Sequence, residues 1–225
     1  VSAPIPGGGD GEEHKRVLTY CVKSAVYRAL LPLLDHKPAW GSLTGVKPAK
    51  PVRLAIREGM DRQALDRWLE EHYDVTPRRR GLCIRAAEYA LRAEDSLFPG
   101  EVQLYIGIPF CPAKCSYCSF VSNDTARWGH MIEPYVQALL QEVEAAGTML
   151  RRGGIPLGSI YIGGGTPTTL NEDQLERLLT AVDAHFDRSA CREYTVEAGR
   201  PETTTAEKLR IMARHGVSRI SINPQ

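Results

Sequence analysis

From Val102 onward, short apolar runs of strand length alternate with longer stretches of helical period, and this alternation limits the possible folds most. Strands are expected at Val102-Gln103-Leu104-Tyr105-Ile106, Ser159-Ile160-Tyr161-Ile162, Glu193-Tyr194-Thr195-Val196 and Ser218-Arg219-Ile220-Ser221-Ile222. A helix is expected over roughly 131–151, with Pro134 near its first turn. A second runs from Asn171 to Phe186. Asn171 and Gln174 there have capping-box spacing, and Leu175, Leu178, Leu179, Val182 and Phe186 make one apolar face. A third opens at Thr204 with Glu207 and closes at Gly216. Strand and helix in turn is the pattern of parallel βα units. The expected fold class is α/β, a partial (βα) barrel with its first four strands present. A chain that stops on its fourth strand reads as truncated from a longer protein.

Upstream the pattern differs. Residues 1–13 are rich in Gly, Pro and acid and are expected to be disordered. From Lys15 to Leu34, Leu18, Cys21, Val22, Ala25, Val26, Ala29 and Leu30 recur at helical spacing, and Pro32 bends or ends that helix. The segment from Trp40 to Pro48 is a Gly/Pro turn. Three further helices are expected at about 49–58, 61–73 and 77–94, with Asp61 as a cap. The domain reading is therefore a helical region over 14–99, a boundary at Phe98-Pro99-Gly100, and a βα core over 100–225.

Composition narrows the function classes. With 225 residues and 43% hydrophobic content, the chain can bury a real core. Lys and Arg number 28 against 27 Asp and Glu, a net +1, so no overall field favours nucleic acid as a partner. The basic runs at Arg78-Arg79-Arg80 and Arg151-Arg152 read as solvated helix ends. No apolar stretch has the length of a membrane span, and the N-terminus lacks the pattern of a signal peptide. Six cysteines are too few for a disulfide framework, and three fall close together at Cys111, Cys115 and Cys118. That clustering favours ligation in a reducing cytoplasm. Cys21, Cys83 and Cys191 read as buried thiols, and Trp40, Trp68 and Trp128 as packing residues.

Thiolates are soft ligands that suit iron–sulfur clusters or zinc. Three at offsets 0, +4 and +7 can hold three irons of a [4Fe–4S] cube and leave the fourth open to a chelating cosubstrate. A closed zinc site needs a fourth ligand, and the nearest spare one is His130. Structural thiols are the third reading. After the next strand comes Gly163-Gly164-Gly165-Thr166-Pro167-Thr168, where βα enzymes place their sites. Its glycines allow close backbone approach, and exposed N–H groups there could hold a carboxylate; a tight strand-to-helix turn is the plainer reading. Glu197, in Thr195-Val196-Glu197-Ala198-Gly199-Arg200-Pro201, could bond a cosubstrate ammonium or ribose, or form a surface ion pair. The polar residues of Arg219-Ile220-Ser221-Ile222-Asn223-Pro224-Gln225 read as half-buried strand positions.

Taken together, CxxxCxxC, GGGTPT, VEAGRP and RISINPQ resemble the oxygen-independent coproporphyrinogen III oxidase-like radical S-adenosylmethionine (SAM) family. AWGSLTGVKP and EAGRP resemble its HemZ-type branch, called coproporphyrinogen dehydrogenase. The resemblance runs from about Tyr20 to Gln225. It implies a radical SAM core over 100–225, a [4Fe–4S] cluster on Cys111, Cys115 and Cys118, and SAM chelated to the open iron. It implies that Tyr105 and Tyr117 line the SAM site, that Gly164, Gly165 and Thr166 contact SAM, and that Glu197 and Gln225 occupy matching positions on the next strands.

The implied reaction is oxidative decarboxylation of coproporphyrinogen III propionates to vinyls in haem biosynthesis. One electron from an unidentified donor cleaves SAM, and the 5′-deoxyadenosyl radical takes a propionate hydrogen. The chain departs from the family's oxidases at two positions. Phe120 stands where they carry a further cysteine, and Gly107 where many carry histidine. A sister branch without the extra cysteine binds haem and passes it on. Haem trafficking is therefore the second reading, and the expected partner is a porphyrinogen or haem.

Overall fold

The computed structural model describes residues 11–43, 47–120 and 123–223. The chain divides between Ser96 and Leu97 into two units, each with its own core. The first holds α1 (Gly11–Leu30), α2 (Ala49–Arg57), α3 (Arg62–Tyr73) and α4 (Pro77–Asp95). Helix α1 already includes 11–13, which composition had suggested were disordered; residues 1–10 lie outside the described residues. It stops at Leu30, and Pro32 lies in a single 3₁₀ turn, Leu31–Leu33. Asp61 caps α3 by accepting from the Ala64 N–H at 2.7 Å.

Val52, Leu65, Leu69, Val75, Ile84 and Cys83 form the core of this unit, with Trp40 and Trp68 packed against it. Cys83 is buried as expected, but Cys21 and Cys191 are only half-buried. Arg80 is not a solvated helix end. Its guanidinium is buried against Asp66, Glu70 and the Val75 carbonyl, because tertiary packing supplies acceptors to Nε and Nη1. The turn residues Thr44, Gly45 and Val46 lie outside the described residues.

The second unit is a parallel α/β structure. Strands β1 (Val102–Ile108), β4 (Leu157–Gly164), β5 (Glu193–Gly199) and β6 (Arg219–Ile222) form one sheet in the order β1-β4-β5-β6, all parallel. Helices α6 (Ile132–Gly153), α7 (Glu172–His185) and α8 (Ala206–Arg214) are the crossovers. Parallel neighbours need such connections because their ends lie at opposite edges of the sheet. A two-residue parallel pair, β2 (Phe110–Cys111) with β3 (Asn123–Asp124), closes the base of the cysteine loop, and Asp124 caps the short helix α5 (Thr125–Trp128). No periodicity marks so short a pair. Trp128 is 39% exposed, stacked with His130 and under the Arg127 guanidinium, so it is not a core residue.

The strand interiors Ile106, Ile108, Ile160, Ile162 and Val196 meet Val136, Val143, Leu175, Leu178, Leu179, Ile211 and Met212 from the helices. Asn171 and Gln174 form a complete capping box for α7. The cap of α8 is Thr205, one residue beyond the expected Thr204, whose hydroxyl instead donates to the Ala198 and Arg200 carbonyls. The residues of β6 are exposed and not half-buried, as befits an outer strand of the described sheet. No described helix is long and apolar enough to cross a membrane.

Two contacts between α6 and α7 generate tests. A Cβ on Gly147 would lie 2.8 Å from the His185 Cβ and even closer to its carbonyl. Gly147→Ala is expected to destabilise this unit by about 1–3 kcal/mol through overpacking, despite the ~1 kcal/mol that alanine gains in helix propensity. Urea denaturation measures this, and an unchanged midpoint would refute so close an approach. Glu133 accepts from Arg177 at 2.7 Å and Gln174 at 2.9 Å, and these bonds push its carboxyl from 4.5 down to about 2. A depressed carboxyl contributes stability above its unfolded value and loses it as pH falls through the folded one. Glu133→Gln should therefore flatten the loss of stability between about pH 4.5 and 2 in acid titrations.

Candidate functional site

Because β1, β4, β5 and β6 run parallel, their C-terminal ends share one edge. The pairing of Ile108 with Gly164 sets the cysteine loop beside the glycine loop. The Gly165 N–H donates to the Ile108 carbonyl at 2.7 Å, and the Thr166 N–H to the Phe110 carbonyl at 2.8 Å. The Gly164 N–H donates to Glu197 Oε2 at 3.2 Å. These N–H groups are thus bonded internally and are not free for a carboxylate, contrary to the expectation from the glycine run. The glycines contribute space instead. A Cβ on Gly165 would lie 3.0 Å from Cys111 Sγ, and Gly164 sits at φ +111°, where a side chain is strained.

Cys111, Cys115 and Cys118 line one cavity of about 190 Å³ together with Tyr117, Phe120, Gly164, Gly165, Thr166, Glu197 and Arg200. Ser221 and Asn223, at the end of β6, complete it. Tyr105 lies next door, in a cavity of about 440 Å³ with Tyr135 and Tyr161. Phe120, Gly164, Gly165 and Glu197 form the wall common to both. Gln225 lies outside the described residues. Two thiols have side-chain donors: Thr166 Oγ1 donates to Cys111 Sγ at 3.5 Å, and Arg200 Nη2 to Cys115 Sγ at 2.8 Å. Among the described residues, no three His, Cys, Asp or Glu side chains are grouped to hold a single metal ion.

Glu197 is held from two sides. Tyr161 donates its hydroxyl to Oε1 at 2.6 Å while Gly164 bonds Oε2. The bond to Glu197, then desolvation, pushes the Tyr161 phenol up to about 12. Tyr105 stacks on Tyr161 at 5.9 Å, and desolvation and then the Glu197 charge raise its phenol as well. Tyr135 donates to the Gly107 carbonyl, fixing the end of β1 on α6. The loops after β4 and β5 are tied by Lys208, which is buried and donates to the Thr168 carbonyl at 2.7 Å and the Thr203 carbonyl at 3.0 Å.

No local sequence pattern assigns a role to Arg200, Tyr161 or Lys208. Arg200 stands inside the VEAGRP motif. Tyr161 sits directly across from Tyr105 in the β1–β4 register, a relation visible only once the strands are paired. Nothing in its local sequence marks Lys208.

The donor set suits a cluster: three soft thiols face one cavity, beside a backbone cleared of side chains at Gly164 and Gly165. A family model described as the Radical SAM superfamily matches residues 105–225. The oxygen-independent coproporphyrinogen-III oxidase-like protein HemZ of Bacillus subtilis is 32% identical over 100% of this chain and 48% of its own length. The heme chaperone HemW of Lactococcus lactis is 38% identical over 54% of this chain and 30% of HemW. The solved coproporphyrinogen III oxidase HemN of Escherichia coli, a radical SAM enzyme, aligns at a TM-score of 0.49 and 28% identity, covering 61% of this chain and 31% of that one. The chain therefore spans about half of HemZ and about a third of the other two. With a family match from Tyr105 to Gln225, more than half its length, the chain belongs to the radical SAM superfamily.

Proposed function

We propose that Cys111, Cys115 and Cys118 hold a [4Fe–4S] cluster, that SAM binds beside it, and that the protein oxidatively decarboxylates coproporphyrinogen III propionates. The observation that carries this reading is the meeting of three thiols with Gly164, Gly165, Thr166 and Glu197 around one cavity. Bound together, cluster and SAM supply one-electron cleavage of SAM to a radical that abstracts hydrogen. The chain's own residues orient and enclose. Tyr161 and Gly164 each occupy one oxygen of Glu197 and leave its other lone pairs to accept from an ammonium or ribose hydroxyl. Phe120, Tyr105 and Tyr135 give the adjoining cavity apolar and aromatic walls against which a substrate ring could pack. A porphyrinogen substrate and a separate electron donor are the partners this chemistry requires.

Haem trafficking is the second reading. Phe120 favours it: the residue is 70% exposed and lines both cavities where the family's oxidases carry a cysteine. Similarity to HemW points the same way.

Anaerobic reconstitution should load about four irons per chain, and replacing Cys111, Cys115 and Cys118 by Ala should abolish loading. Retained iron in the triple variant would sink the cluster assignment. Conversion of coproporphyrinogen III with SAM and a reductant supports the decarboxylase; stoichiometric haem binding without product supports the chaperone. Tyr161→Phe should leave iron content unchanged and weaken SAM binding by about tenfold, since it frees the carboxylate that receives the ligand. Equilibrium dialysis measures this, and unchanged affinity would remove Tyr161 from the site.

A further inference from the structure

We infer that Arg200 is a positioning residue for the second cysteine, holding the cysteine loop in shape before metal arrives and stabilising the reduced cluster afterwards. This inference rests on the cluster assignment for Cys111, Cys115 and Cys118.

Arg200 follows β5 directly, and its side chain is 15% exposed. One guanidinium nitrogen, Nη2, donates to both Cys115 Sγ at 2.8 Å and the Ala113 carbonyl at 2.9 Å. The loop after β5 thereby grips the cysteine loop at its second thiol and at the backbone just before it. The other nitrogen, Nη1, reaches Glu202 at 3.4 Å, but Glu202 is 58% exposed, and an exposed pair at that distance contributes little.

The anchor behind the guanidinium is rigid. The Arg200 carbonyl accepts from the Thr203 N–H at 3.1 Å and from the Thr203 and Thr204 hydroxyls at 3.0 Å each. Gly199 turns the chain at φ +65°, and a Cβ there would lie 3.4 Å from Thr166 Cβ and closer still to its methyl. The planar guanidinium fork loses little further freedom when it bonds. Among the described residues, the first thiol is tied by the Thr166 hydroxyl at 3.5 Å and the third by the Cys118 N–H bond to the Cys115 carbonyl at 3.0 Å, while the base of the loop is held by the Thr166 N–H on the Phe110 carbonyl and the pairing of β2 with β3.

The chemistry gives the inference a direction. Hydrogen bonds to cysteine sulfur and nearby charge both set cluster potential. A cationic N–H donor favours the more negative, reduced state and so raises the potential. Arg200 is thus suited to ease the one-electron reduction on which SAM cleavage depends.

The test uses the full chain, reconstituted anaerobically, with Arg200→Met. The midpoint potential is read by redox titration of the cluster's electron paramagnetic resonance signal. The reduction equilibrium should fall about tenfold, ~59 mV for one electron, with iron content retained because all three cysteines remain. Arg200→Lys keeps the charge without the fork and should recover part of the shift. A potential and signal equal to wild type in Arg200→Met would overturn the inference. If Arg200→Met does not fold by circular dichroism, Arg200→Gln replaces it with the same expectation. In the metal-free chain, hydrogen–deuterium exchange of peptides over 112–118 should speed up in the variant, and unchanged exchange would overturn the positioning role. Failure of the wild-type chain to take up iron would count against the cluster assignment instead, so the two failures are distinct.

Discussion

The contact between the end of β1 and the turn after β4 governs the site. Ile108 pairs with Gly164, and the next two N–H groups of the glycine loop donate to the carbonyls of Ile108 and Phe110. Those bonds continue the parallel ladder past the last strand residue and carry the cysteine loop with it. Because Cys111 follows Phe110 directly, the first thiol is placed by sheet geometry. A side chain at Gly165 would strike both the Phe110 carbonyl and Cys111 Sγ, so the two loops can meet this closely only with glycine there.

From that seam the remaining loops are drawn in by side chains. Glu197, at the end of β5, reaches back to the Gly164 N–H and to Tyr161. Arg200 crosses to the second thiol, and Thr166 to the first. Behind them Lys208 bridges the Thr168 and Thr203 carbonyls from a buried position. Desolvation lowers its proton affinity, and the Glu172 charge offsets this in part. The result is a set of three loops preorganised by one another, the arrangement a reactive cofactor site requires.

Much of this was legible beforehand where the signal is local. The alternation after Val102 located all four long strands, because apolar runs bounded by Gly and Pro have few other solutions. Asn171 and Gln174 announced their helix because a capping box is a four-residue pattern. The pair β2–β3 was not legible, since two residues have no period. The cap of α8 fell on Thr205 and not Thr204, because Thr204 found acceptors across the β5 loop that no local rule anticipates. The same limit explains Arg80, which looked like one member of a solvated basic run and is buried by partners on another helix and its own turn.

What the sequence alone determined is the chemistry on offer: three thiols at offsets that suit a cluster, a glycine-rich turn after the next strand, and a carboxylate after the third. Spacing along the chain suffices there, because the ligands are close in sequence and the turns are local. Tertiary structure alone decided how the pieces engage. It directed the glycine-loop N–H groups inward to β1 and Glu197, set Tyr161 beside Glu197, and delivered the Arg200 guanidinium to Cys115. Each of those pairings joins residues tens of positions apart. Strand order and register bring them together, and neither is written in any local stretch of the chain.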